Sequence, residues 1–188
     1  AMKDADCSVA MASGREAAAQ AAQVVLLDSD FAHMPDLVYE GRRVVNNIER
    51  SASLFLVKNI FSLLLSVLSA VFMFTYPLEP AQISFVSMFT IGIPGFLLAL
   101  EPNKHRIKGD FLKNVLIKAL PGGLTDVIAV FAIVMCGSVF EISDDSIGTI
   151  ATMIMSVVGF MILCKISEPF NTRKYMIIAG NIFGFIFA

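Results

Sequence analysis

Lys58, Asn59 and Ser62 set an amine, an amide and a hydroxyl close together inside a run, Leu54 to Tyr76, that is otherwise largely apolar. Steps of three and four residues carry Asn59 and Ser62 on through Ser66 and Ser69, so the four form a polar seam on one face of a helix. An amide buried in hydrocarbon is costly without a partner, so the seam is expected to face other helices or a water-filled path. Lys58, near the start of the run, either serves that path or snorkels its amine to the surface. Downstream, Ser84, Ser87 and Thr90 recur every third residue up to the segment Thr90-Ile91-Gly92-Ile93-Pro94-Gly95. Pro94 has no N–H to give the Thr90 carbonyl, and Gly92 and Gly95 loosen the same turn. Irregular backbone of this kind recurs at ion sites in transporters, while a kink used for packing is the plainer reading. Asp126 is a carboxylate inside a third apolar run, preceded by Thr125 and an expected break at Pro121-Gly122-Gly123. An ionisable group at such depth is a functional candidate, expected to pair with Lys58 or Lys118 or to stand unpaired. Glu101 and Glu141 are expected among lipid headgroups. His33 and His105 are isolated and are not read as ligands.

These residues need long apolar elements to hold them. The 188 residues are 56% hydrophobic and 16% charged, with a mean hydropathy of +0.75, which places the chain in the membrane class. Spans are expected at about 54–76, 81–100, 113–140, 146–164 and 175–188, the last incomplete. Residues 1–48 differ. A short apolar run at Cys7–Ala12, an alanine-rich stretch at Arg15–Gln23 and the β-branched run Val24–Leu27 read as strand, helix and strand of a parallel α/β unit. A helix is expected to start near Asp36, after Pro35, and run into the first span. The fold class is therefore mostly α: a multi-span helical bundle at 49–188, preceded at 1–48 by the C-terminal piece of a cytoplasmic α/β domain. Both ends read as interior to a longer chain. Cys7, Cys136 and Cys164 form no CxxC pair and are expected to be small buried packing residues. A net charge of −2 gives no reason to expect nucleic acid as a partner; the lipid bilayer is one. Lys and Arg gather in 42–50, 101–118 and 165–174, whereas Pro77–Pro80 and Glu141–Asp145 hold acids only. That alternation puts the head on the cytoplasmic side.

The segment Lys3 to Gly14, KDADCSVAMASG, resembles the stretch that follows the Gly-Asp-Gly-x-Asn-Asp motif in P-type cation-transporting ATPases. Lys3, Ala5, Asp6, Ala10 and Met11 stand in register with the family form K-x-A-D-x-G-I-A-M-G, and Ser8 replaces its glycine. VVLLDSDF, Val24 to Phe31, and EGRRVVNNI, Glu40 to Ile48, continue the likeness toward the family's fifth membrane helix. The resemblance covers the whole chain and is closest to a bacterial subgroup with calcium-type pumps. It implies a HAD-like phosphorylation domain at 1–48, a bacterial inner-membrane location, and a transported cation as substrate. ATP and Mg2+ would bind upstream, in the N-terminal part of the same pump. Neither Asp-Lys-Thr-Gly-Thr nor Gly-Asp-Gly-x-Asn-Asp occurs in this chain, so no catalytic residue is assigned. Five spans argue against a copper or zinc pump.

The resemblance makes Asn59, Ser62, Ser87, Thr90 and Asp126 candidates for the cation path. LVKNIFS is similar to the LTKNIPE-like pattern of gastric proton pumps, which implies a countercharge role for Lys58. Calcium and sodium pumps place a carboxylate where Ser62 stands, and calcium pumps an aspartate where Ile91 stands. Hard cations want several oxygens, usually with carboxylates, so these two departures leave the ion itself open. A pump for a proton, a polyamine or a lipid is the alternative cargo. A stand-alone channel or carrier is the alternative class.

Overall fold

A computed structural model describes residues 5–103 and 105–188; Lys3 and Lys104 lie outside the described residues. The head is a strand–helix–strand unit: β1 (Val9–Met11), α1 (Glu16–Ala21) and β2 (Val24–Leu26). The two strands pair in parallel, Val9 opposite Val24 and Met11 opposite Leu26, as continuous apolar strands around an alanine-rich crossover require.

A short 3-10 turn, Phe31–His33, follows, held by the Asp30 carboxylate accepting from Ala32 N. It feeds α2 (Met34–Phe72), 39 residues without interruption. Pro35 in the first turn has no hydrogen bond to lose, and Asp36 complements the helix dipole. At 1.5 Å per residue α2 is about 58 Å long, roughly twice the hydrocarbon thickness. It is therefore both a membrane span and a stalk. It ends at Phe72, short of the expected Tyr76, because Met73 turns left-handed with φ 54° and the Ser69 hydroxyl donates to Phe74 O at 2.6 Å.

The second span is α3 (Pro80–Ser87), a π turn (Met88–Gly92) and α4 (Ile93–Ala99). Irregular backbone is expected here; the helix widens rather than breaking, with Ile93 N donating to Met88 O. α5 (Phe111–Val139) passes through Pro121-Gly122-Gly123 as continuous helix, so the expected break is absent. Within hydrocarbon every backbone group needs a partner, which favours keeping the helix around one missing N–H. α6 (Asp144–Ser167) extends beyond the expected 146–164 at both ends, with Asp144 and Asp145 in its first turn and Lys165 in its last, each on its favourable dipole side. The loop expected at 165–174 shrinks accordingly. α7 (Thr172–Phe187) has 16 residues, about 24 Å of helix. Among the described residues four helices are long and apolar enough to cross a membrane, so the chain is a multi-pass membrane protein with a mostly α fold.

Contacts give the direction of each helix. Lys118 and Asn114 of α5 meet Glu49 of α2 at the head end, and Phe131 of α5 meets Phe72 at the far end. The two helices run parallel. The second span returns, its Leu98 and Ala99 carbonyls reached by Arg50 and Asn47. α6 returns as well, from Gly148 beside Pro77 to Gly159 beside Thr90. The loops with Lys and Arg therefore share the head's end of the bundle. Two apolar clusters fill it. Leu54, Ile91, Leu98, Leu163 and Ile178 lie toward the head, and Phe61, Leu65, Val86, Val127, Val130 and Met155 toward the far end.

Among the described residues the cysteines are free, but not buried: Cys7 and Cys136 are exposed and Cys164 is half-buried. Cys136 lies on an outward face of α5, where a small apolar thiol suits lipid as well as core.

Candidate functional site

The seam between the two clusters is not filled. A cavity of about 30 Å³ opens there, lined by Lys58 of α2, Ser87 and Thr90 at the π turn, Asp126 of α5, and Gly159 of α6. That is room for one or two water-sized particles. Leu54 and Ile91 of one cluster and Phe61, Val86 and Met155 of the other wall it. Nine residues separate Lys58 from Glu49, so the cavity lies about 14 Å along α2 from the charged head end.

Asp126 is 3% exposed, and its Oδ1 has no hydrogen-bond partner among the described residues. A carboxylate in that position is costly to hold charged unless something positive comes to it. Lys58 lines the same cavity and makes no ion pair among the described residues. The expected Asp126–Lys118 pair does not form, because the Lys118 amine lies 2.5 Å from Glu49 Oε1. Thr90 Oγ1 donates to Val86 O at 2.8 Å and Ser87 Oγ to Ile83 O at 2.6 Å. Both hydroxyl protons are thereby committed to the helix, and the oxygens keep lone pairs for a cation.

Several sequence-predicted residues fall elsewhere. Asn59 is exposed, on the face of α2 turned away from the cavity, and Ser66 likewise; Ser62 is half-buried and does not line it. The buried stripe of α2 is instead Leu54, Val57, Phe61 and Leu65, one helical face of its own. Asn59 and Ser66 thus face outward from this chain's own helices, while Ser62 and Ser69 are half-buried. Ser84 is exposed, its hydroxyl returned to Pro80 O at 2.7 Å. Pro94 is fully buried. Gly92 and Gly95 have room for a side chain, with nothing nearer than 3.7 Å to a Cβ at Gly92 and nothing within 4 Å at Gly95. Ile91, where the family resemblance leads one to look for an acid, lines the cavity as a hydrocarbon wall.

Sequence reasoning missed the belt of ion pairs above the cavity. Glu101 turns toward its own bundle: its Oε2 lies 3.7 Å from Arg50 Nη1 and 3.3 Å from Lys174 Nζ, and both cations are buried. Arg50 also donates to Leu98 O at 3.3 Å and Lys174 to Pro169 O at 2.8 Å. Glu49 accepts from Lys118 and from Asn114 Nδ2, the latter at 3.3 Å. Asn46 Nδ2 donates to the carbonyls of Asn103 and His105. The belt fastens the stalk end of α2 to α4, α5 and α7. Its only trace in the sequence is the neighbouring charges Glu49 and Arg50, whose partners lie 48 to 69 positions away.

Close approach of helices around the cavity rests on glycine. A Cβ on Gly159 would stand 2.8 Å from Thr90 Cγ2, and one on Gly122 2.3 Å from Ile162 Cδ1. No group of three or more His, Cys, Asp or Glu side chains able to hold a metal ion occurs among the described residues. At the cavity this chain offers a cation one buried carboxylate, Asp126, with hydroxyl oxygens beside it.

No family model matches the chain. It is similar to a probable cation-transporting ATPase, exp7, of Streptococcus pneumoniae, with 36% identity over 194 residues, covering 99% of this chain and 25% of that protein. It is 34% identical over 200 residues to the calcium-transporting ATPase CtpE of Mycolicibacterium smegmatis, covering 99% of this chain and 25% of that one. For CtpE of Mycobacterium tuberculosis the figures are 37% over 187 residues, 91% of this chain and 23% of the relative. The chain spans about a quarter of the length of the curated relatives it matches.

Proposed function

We infer that the chain, which belongs to the P-type cation-transporting ATPases, is the segment of such a pump that joins the end of its phosphorylation domain to its membrane path. Residues 1–48 are the last part of that domain and 49–188 the membrane domain, with the head in the cytoplasm and the bundle in a bacterial inner membrane. The cargo is calcium or another cation that is not a heavy metal. The calcium-transporting names of two of the relatives support this choice, and they lend none to a stand-alone channel.

ATP and Mg2+ do not fit the residues present here. The head has neither the phosphorylated aspartate motif nor an acidic cluster among its described residues, so both belong to the upstream part of the whole protein. What this chain contributes is the coupling. α2 is an unbroken helix from the head to beyond the cavity, and a stiff element carries displacement where a flexible linker would absorb it. Tilting α2 moves Lys58 against Asp126 and shifts the wall that faces Thr90. The π turn adjoining α2 is able to change register at small cost, since one hydrogen-bond step separates it from an α-helix.

The observation that carries this reading is the cavity itself: Lys58, Ser87, Thr90 and Asp126 meet at mid-bundle, on three different helices. The test is ATP-driven uptake of radiolabelled calcium into inverted membrane vesicles containing the whole protein. Uptake that needs ATP and stops with orthovanadate is the expected result. Vesicles that neither accumulate calcium nor show cation-stimulated ATP hydrolysis would overturn the reading.

A further inference from the structure

A groove of about 760 Å³ runs between α5 and α6 toward the head end of the bundle, within the ~300–1,000 Å³ of small-ligand sites. Ile117 and Pro121 of α5 and Val158, Met161 and Ile162 of α6 make its apolar walls. Lys118 and Lys165 stand at its head end, one on each helix, with Glu168 beside them. Steps of four carry Lys113, Ile117, Pro121 and Thr125 along one stripe of α5, so Lys113 lies one turn nearer the head on the groove's own side. Lys113 is exposed and makes no ion pair among the described residues. Lys165 is 77% exposed and its partner Glu168 52%, at 3.1 Å; a surface pair of this kind exchanges at little cost. Lys118 is held by Glu49 but is 47% exposed on its other side, and an ammonium has more than one N–H to share. Against Glu49 and Glu168 the three lysines leave one positive charge unmatched. Deeper in the groove, Pro121 has no N–H for the Ile117 carbonyl. Thr125 supplies no substitute, since its hydroxyl donates to Pro121 O at 2.7 Å. The Ile117 oxygen therefore has room for a donor from outside the helix.

We propose that this groove seats one anionic phospholipid of the head-side leaflet. Its phosphate lies among Lys113, Lys118 and Lys165, a headgroup hydroxyl donates to Ile117 O, and one acyl chain follows Val158, Met161 and Ile162. A single phosphodiester charge matches the single unmatched lysine charge, and a glycerol headgroup supplies the hydroxyl, so phosphatidylglycerol is the chemistry that fits. Basic pockets between membrane helices on the cytoplasmic side bind anionic headgroups in this way. A water-soluble phosphate would use the lysines and leave the apolar walls bare, which is why the ligand is a lipid. The proposal rests on the reading above only for its side: a cytoplasmic head makes this the inner leaflet.

The experiment is thermal unfolding of the delipidated whole protein in detergent, titrated separately with four probes. These are phosphatidylglycerol, phosphatidylmethanol (the same charge without the hydroxyls), zwitterionic phosphatidylcholine, and soluble glycerol phosphate. Phosphatidylglycerol is expected to raise the midpoint saturably, with half its effect at ~10-fold lower concentration than phosphatidylcholine and phosphatidylmethanol falling between. The double variant Lys113→Gln with Lys165→Gln, both at exposed positions, should bring phosphatidylglycerol within about twofold of phosphatidylcholine. Pro121→Ala, which returns an N–H to Ile117 O, should erase the difference between phosphatidylglycerol and phosphatidylmethanol. Met161→Trp, which fills the groove from an exposed position, should weaken the response to every lipid. Equal responses to phosphatidylglycerol and phosphatidylcholine in wild type, or a preference untouched by the lysine variant or by Met161→Trp, overturn the site. Glycerol phosphate acting as strongly as phosphatidylglycerol overturns the lipid in favour of a free phosphate. A Pro121→Ala variant that still separates phosphatidylglycerol from phosphatidylmethanol overturns the Ile117 contact. The readout needs neither ATP nor calcium, so failed vesicle uptake beside an intact lipid preference removes the pump reading and leaves the groove.

Discussion

Gly123 of α5 lies so close to Ile60 of α2 that a Cβ there would stand 2.8 Å from Ile60 Cγ2 and 3.2 Å from the Val57 carbonyl oxygen. A Cβ on its neighbour Gly122 would meet only side-chain atoms, at 2.3 Å from Ile162 Cδ1, 2.9 Å from Ile162 Cγ1 and 3.5 Å from Val57 Cγ2. The two glycines therefore differ. Ile162 has to rotate about χ1 to clear both atoms, at a cost of ~0.5–1.5 kcal/mol, whereas Ile60 is held at Cβ and Val57 by its backbone. A helical Gly→Ala change is worth up to ~1 kcal/mol in propensity, and overpacking costs ~1–3 kcal/mol. Gly122→Ala is expected to be near neutral in thermal unfolding of the whole protein, and Gly123→Ala to be destabilising by ~1–2 kcal/mol. Gly41, with nothing within 4 Å of a Cβ on the stalk part of α2, serves as the control: Gly41→Ala should be neutral or stabilising. Equal losses at 122 and 123 would mean that the α2–α5 contact is not the tight one.

Glu49 and Lys118 make an ion pair of unequal burial: the Glu49 side chain is 9% exposed and that of Lys118 47%. Their losses should be unequal too. Lys118→Met leaves Glu49 buried with only Asn114 to bond it, the situation in which breaking a buried pair costs up to ~3–5 kcal/mol. Glu49→Gln leaves a lysine that already reaches solvent, where the loss is nearer the ~0–1 kcal/mol of a surface pair. Detergent-solubilised midpoints are expected to fall in the order Lys118→Met well below Glu49→Gln, and the reverse order would place the belt in water.

Much of this architecture was legible residue by residue. The run Val24–Leu27 and the alanine-rich stretch before it named a parallel strand–helix–strand unit, because buried parallel strands need unbroken apolar runs. Thr90 to Gly95 announced an irregular turn, because Pro94 removes a donor wherever it stands. What stayed hidden was azimuth and partnership. The Asn59–Ser62–Ser66 seam showed that α2 has a polar face, yet a single helix cannot say which of its faces its neighbours cover. Here the neighbours took Leu54, Val57, Phe61 and Leu65. Pro121 read as a break because its missing N–H is a local fact, while the need to keep all other backbone groups bonded in hydrocarbon is a property of the surroundings. Nothing local to Glu101 foretells its partners Arg50 and Lys174.

The outward seam makes its own prediction. A polar amide facing hydrocarbon is unfavourable, so Asn59 and Ser62 are expected to be covered by another part of the whole protein. Asn59→Leu should then lower calcium-stimulated ATP hydrolysis at least ~10-fold, because a branched side chain disturbs a packed polar contact. Phe55→Leu, on an exposed and apolar position of the same helix, should leave it within about twofold. Activity unchanged in both would put the seam against lipid.

Thr90 and Gly159 offer the sharpest check on the cavity. Thr90 is buried, and its hydroxyl is tied to Val86 O at 2.8 Å, so the residue has little freedom to retreat. Its methyl faces Gly159: a Cβ there would lie 2.8 Å from Thr90 Cγ2 but 3.5 Å from Oγ1. Gly159→Ala should push the methyl, rotate Thr90 and misplace its oxygen, raising the half-maximal calcium concentration for ATP hydrolysis ~10-fold. Thr90→Ser removes the colliding methyl and keeps the hydroxyl, so Gly159→Ala combined with Thr90→Ser should return most of the lost affinity. Thr90→Val keeps the bulk and deletes the oxygen, and combined with Gly159→Ala it should restore nothing. A double variant with Ser no better than Gly159→Ala alone would show that α6 acts on the cation site by some route other than the Thr90 methyl.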